Sequence, residues 1–79
     1  MRVALRKARL KAGLSQAELA REVGLTRASY TNIEKGYRHP SLVTALQIAR
    51  VLRTPVEELF SDEFPGDRVA KAHGAPGAL

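Results

Sequence analysis

The sequence predicts a small all-α domain of five short helices, and three observations lead there. Glycine and proline cut the chain into five segments, each carrying apolar residues at the three-to-four spacing of one helix face. Ser15, Thr26, Ser41 and Thr54 stand just ahead of four of them, where a side-chain oxygen can accept from unpaired N–H groups of the first turn. No stretch alternates apolar and polar residues as a half-buried strand would. The 79 residues allow one domain, expected over 1–64, with 65–79 as a flexible tail.

The first helix is expected from Arg2 to Ala12, with Leu5, Ala8 and Ala12 on its inner face, and it stops at Gly13. Ser15 caps the second, and Glu18 three residues later completes a capping box. That helix, Gln16 to Val23, turns Leu19, Ala20 and Val23 inward and ends at Gly24. The third follows Thr26 and runs to Lys35, before Gly36. These glycines fall where the chain leaves a helix through the left-handed conformation, which other residues adopt at a cost.

The loop Tyr37-Arg38-His39-Pro40 leads to Ser41, the cap of a fourth helix ending near Arg53. Its apolar arc is Leu42, Ala45, Leu46, Ala49 and Leu52, widened by Ile48. Thr44, Gln47 and Arg50 occupy the opposite arc, with Val43 and Val51 lying among them. A fifth helix opens on Thr54-Pro55-Val56-Glu57, read as a cap, a proline at the first helical position and a carboxylate at the third. Val56, Leu59 and Phe60 are its inward side chains. From Ser61 the periodicity fades, and Pro65 to Leu79 is rich in Gly, Ala and Pro.

Composition excludes several functions. Without cysteine there is no disulfide framework or thiolate zinc site, and two histidines, His39 and His73, do not make a metal site. Cationic residues interrupt the amino terminus, so no secretory signal is expected, and no apolar run approaches the roughly 18 residues of a membrane span. A cytoplasmic protein with no cofactor and no membrane contact is expected. No nucleophile–base pair or phosphate-cradling glycine loop appears, so catalysis is not expected. Charge is segregated: residues 1–53 carry eleven Lys or Arg against three Glu, a net of +8, whereas residues 54–79 have a net of −3. The basic part can attract a polyanion while the acidic end turns away from it.

Residues 16–35 focus these expectations. Two helices joined by a tight turn at Gly24 cross closely only over a small side chain, which Ala20 supplies. With Leu19, Val23, Leu25, Tyr30 and Ile33 inward, the outer face of the third helix becomes Arg27, Ala28, Thr31 and Asn32. Arg can pair bidentately with guanine and Asn with adenine, while Ala or a Thr methyl can touch the thymine methyl. These four are the expected base-contacting residues.

The runs Leu14-Ser15-Gln16-Ala17-Glu18-Leu19-Ala20, Gly24-Leu25-Thr26-Arg27, Ile33-Glu34-Lys35-Gly36 and Pro40-Ser41-Leu42 resemble the Xre or Cro/CI repressor-like class over roughly residues 3–60. The resemblance implies a compact five-helix, repressor-like DNA-binding domain with a helix-turn-helix at helices 2–3, the third helix entering the major groove. It implies that Gln16 grips a phosphate and braces the third helix, and that Thr26, Lys35 and Arg38 contact the backbone, which holds register without reading sequence. It also implies a partly buried pair between Arg9 and Glu34. Tyr30 departs from the aliphatic residue usual in the class; its ring is expected in the core and its hydroxyl at solvent or a phosphate.

The function expected is a regulator that binds double-stranded DNA as a homodimer on a pseudo-palindromic operator, since one recognition helix reads few base pairs. Val43, Val51, Phe60 and Phe64 are the candidate dimer contacts. No small-molecule ligand and no inducer-binding domain are expected, leaving concentration or a partner protein as the means of control. The alternative is a protein-interaction module of the same fold, such as an antitoxin, which should present an apolar outer face on the third helix.

Overall fold

The computed structural model describes residues 1–61, so the expected domain limit at 64, Phe64 and the expected tail over 65–79 lie outside the described residues. Five helices follow in order among them: α1 (Val3–Lys11), α2 (Gln16–Glu22), α3 (Arg27–Lys35), α4 (Leu42–Leu52) and α5 (Val56–Leu59). Their starts are set by local chemistry. The Ser15 hydroxyl accepts from Glu18 N at 3.0 Å, and the Glu18 carboxylate accepts from Ser15 N at 2.8 Å, closing the capping box. Thr26 accepts from Ser29 N and Ser41 from Thr44 N, each satisfying an N–H the helix cannot.

α5 begins differently from the expectation. Its cap position is Pro55, with no side-chain cap bond. Thr54 is engaged behind it: its hydroxyl donates to Leu52 O at 3.0 Å and its N–H to Ala49 O at 3.1 Å. Thr54 therefore closes α4, whose exit residue, Arg53, takes a left-handed φ of 52°. The bonds that Thr54 makes to the last carbonyls of α4 offset the strain of a side chain in that region.

α2 packs on α3, α1 on α5 and α3, and α4 on α5 and α2. The core between them is built from Leu5, Leu19, Tyr30, Ile48, Leu59 and Phe60, with the small Ala20 and Ala45 buried among them. Ala12, expected inward, is exposed because α1 ends at Lys11. On α4 the buried arc is Ala45, Ile48 and Leu52, with Ala49 at its margin. Leu42 and Leu46 lie on the shoulder of the helix and stay 55% and 46% exposed, beside Val43 at 66%. Phe60, a candidate dimer contact, is fully buried and offers no free surface, and Val51 is half-buried against the core.

Arg2 is a structural residue that the sequence did not announce. Its backbone N–H donates to Glu34 O at 2.8 Å and its Nε to Ile33 O at 2.9 Å. Its Nη2 reaches Arg38 O at 3.1 Å, and its guanidinium lies 5.6 Å from the centroid of the Phe60 ring. A buried cation thus satisfies carbonyls at the carboxy-terminal end of α3, where the helix dipole favours positive charge.

Candidate nucleic-acid interface

Three features place α3. Ala20 is buried where α2 and α3 cross, and Leu25 N donates to Ala20 O at 2.8 Å across the turn. Gly24 holds a φ of 73° in that turn, and Tyr30 and Ile33 anchor the inner side of α3. The opposite side carries Arg27 and Ala28, exposed, and Thr31 and Asn32, half-buried. The four line one shallow depression on the surface, so the i, i+1, i+4, i+5 spacing does bring them together.

Beneath that face lies a buried polar cluster centred on Glu34. Arg9 Nε donates to Glu34 Oε1 at 2.8 Å and Arg9 Nη2 to Oε2 at 3.2 Å, a forked pair with the carboxylate. Arg9 Nη1 also donates to Leu14 O at 2.8 Å, tying α1 to the start of α2. Gln16 Nε2 donates to Glu34 Oε2 at 2.9 Å, and the Tyr30 hydroxyl to Glu34 Oε1 at 2.8 Å. Glu34 is 1% exposed and Arg9 7%, deeper than the partial burial expected. The Tyr30 hydroxyl faces this cluster, not solvent or a phosphate as expected; its ring fills the core at a depth that brings the hydroxyl to Glu34.

Burial pushes the Glu34 carboxyl up, but the donors from Arg9, Gln16 and Tyr30 outweigh it and hold it below the usual carboxylate range. The Glu34 hydrogen bond raises Arg9 against its own desolvation. Burial, reinforced by the neighbouring carboxylate, raises Tyr30 well above an ordinary phenol. The cluster is therefore one ionised pair with neutral donors, and no buried side-chain polar atom among the described residues lacks a partner.

Residues expected at the phosphates are spread around α3. Gln16 lies behind Thr31, whose hydroxyl donates to Gln16 Oε1 at 3.1 Å. Thr26 is exposed at the start of α3, with its oxygen committed to the cap, and Lys35 is exposed at the last turn. Arg38 borders a depression with Ser29, Ser41 and Thr44 beside the amino-terminal end of α4, where unpaired N–H groups favour an anion. Among the described residues no cluster could hold a metal ion, and no helix is long and apolar enough to cross a membrane.

The chain is similar to several known proteins in sequence and in fold. The family described as "Helix-turn-helix" matches residues 5–59. An uncharacterised helix-turn-helix-type transcriptional regulator of Archaeoglobus fulgidus is 45% identical over 60 residues, covering 76% of this chain and 86% of the relative. The control protein C.MunI of a Mycoplasma species is 42% identical over 52 residues, covering 66% of this chain and 70% of its own. Among solved structures, the restriction-modification controller protein C.AhdI of Aeromonas hydrophila superposes with a TM-score of 0.66 at 42% identity, over 72% of this chain and 86% of that one.

Proposed function

The chain belongs to the Xre or Cro/CI-like helix-turn-helix family of DNA-binding transcriptional regulators, which are not enzymes, and from that premise we propose that it is a sequence-specific repressor or autoregulator acting on a pseudo-palindromic operator. In this reading α3 enters the major groove and Arg27, Ala28, Thr31 and Asn32 meet the base edges. Gln16, Thr26, Lys35 and Arg38 hold phosphates on either side. The observation that carries the reading is the polar outer face of α3, gathered into one depression over a rigid buried cluster. A protein-binding module would present apolar side chains there. Relatives named as a control protein and as a restriction-modification controller support a controller role.

Salt dependence tests the DNA reading. With about five cations neutralising phosphates, log affinity should fall with log salt at a slope of roughly −4 to −6, about −0.9 per contact. Affinity unchanged between low and moderate salt would overturn it.

The same proposal includes a two-fold dimer, with half-sites about one helical turn apart. Phe60 and Val51 serve the core, so the contact surface is assigned to the exposed side of α4, where Val43 is joined by Leu42 and Leu46. These three adjacent apolar side chains have no partner helix among the described residues, and a second copy of the same surface would cover them. Leu46→Lys should shift sedimentation from dimer to monomer and weaken operator binding while leaving the helical spectrum intact. A wild-type chain that stays monomeric at high micromolar concentration, with and without operator, would remove the dimer.

A further inference from the structure

The hydrogen bonds behind α3 have a direction, and the direction limits what one of its residues can read. An ionised carboxylate only accepts, so the Gln16 side chain must turn its NH2 group toward Glu34, as the 2.9 Å bond from Nε2 to Oε2 has it. The same amide then presents its carbonyl oxygen to Thr31. That oxygen also only accepts, so at 3.1 Å the Thr31 hydroxyl must donate its single proton backward to Gln16. The forked Arg9 pair keeps Glu34 ionised and fixes the whole relay from α1.

We propose that Thr31 discriminates bases only by its methyl group and as a hydrogen-bond acceptor, with Gln16 acting as the positioning residue that withdraws its proton. This rests on the reading of α3 as the major-groove helix. On the groove edge guanine presents only acceptors, N7 and O6, whereas adenine and cytosine present amino donors and thymine a methyl group. Thr31 therefore fits adenine or cytosine through the amino group, or thymine through the methyl, and rejects guanine at the base it faces. A threonine free to rotate its hydroxyl would accept all four. Gln16 retains its second N–H, which leaves the phosphate contact open to it.

The test compares duplexes selected from a random pool by the full chain, by Gln16→Met, by Thr31→Val and by the double variant, with folding checked by circular dichroism. Methionine keeps the length of Gln16, loses the amide donor to Glu34 and replaces the carbonyl acceptor with a weakly accepting sulfur. Gln16→Met should lower affinity generally and, at one base pair per half-site, reduce the discrimination against guanine by about threefold to tenfold, the range of one net hydrogen bond. In the Thr31→Val background, where no hydroxyl remains, Gln16→Met should leave base preference at that pair unchanged. Gln16→Met that weakens every sequence evenly, or that shifts preference equally with and without the Thr31 hydroxyl, would overturn the relay while leaving the DNA reading intact. A wild-type chain that selects no motif would overturn both.

Discussion

Arg9→Met is expected to destabilise the domain by about 3–5 kcal/mol, because it strands the Glu34 carboxylate in the core with only neutral donors from Gln16 and Tyr30. A domain of this size has a total stability of roughly 3–9 kcal/mol, so the loss takes about a third of it or more. Methionine preserves much of the packing of the arginine stem, which ties the effect to the charge. The pH dependence identifies the source. The folded Glu34 carboxyl titrates below its unfolded value of about 4.3, so its stabilisation is fully present above that pH and is lost as pH falls through the lower folded value. In Arg9→Met, burial acts on Glu34 without the counter-charge, and protonation relieves it. The stability gap between the two proteins should thus be widest near neutral pH and narrow through the acid range. Urea unfolding followed by circular dichroism at several pH values measures both. A gap below about 1 kcal/mol at neutral pH would mean the pair behaves as a solvent-screened one.

Much of this architecture was legible because it is written locally. The capping box at Ser15 and Glu18, the caps at Thr26 and Ser41 and the glycine exits each involve residues within a turn of one another, so spacing alone finds them. The outer face of α3 follows from helical geometry once Tyr30 and Ile33 are placed inward. What was not legible depends on distant partners. Arg2 reads as one cation among several, and only the fold brings it to the carbonyls of Ile33 and Arg38. Leu42 and Leu46 belong to an apolar arc on the wheel, but how much of that arc is covered depends on which helices reach α4. Phe60 sits at the end of the periodic pattern, where a core plug and a surface anchor look alike in sequence. Thr54 has the chemistry of a cap for α5 and spends it on α4. Within the site, the face was visible, but the bond from Thr31 to Gln16 depends on how closely α2 and α3 cross.

Asn32→Ala and Arg27→Ala should produce different changes at different base pairs. Asn32 can donate and accept toward one base in a bidentate pair, and its loss should cost about 1–3 kcal/mol on the preferred operator and relax selectivity at one base pair per half-site. The substitution leaves Tyr30 and Ile33 untouched, so the fold should persist. Arg27 is exposed at the amino-terminal end of α3, the end that approaches base edges most directly in this docking geometry. Its removal should relax selectivity at a second position and also lower affinity for every sequence, because its charge attracts phosphates regardless of the bases. Lys35→Ala, at the far end of α3, should weaken all sequences about equally and flatten the salt slope by about 1.

The decisive measurement is the affinity of the wild-type, Arg27→Ala, Asn32→Ala and Lys35→Ala proteins for a panel of operators altered one base pair at a time, at a single salt concentration and with helicity verified. If α3 reads the major groove, Arg27→Ala and Asn32→Ala each lose discrimination at their own base pair while Lys35→Ala keeps the wild-type order of preference. Uniform weakening across the panel by both Arg27→Ala and Asn32→Ala, with the order of preference unchanged, would contradict the assignment of α3 as the reading helix.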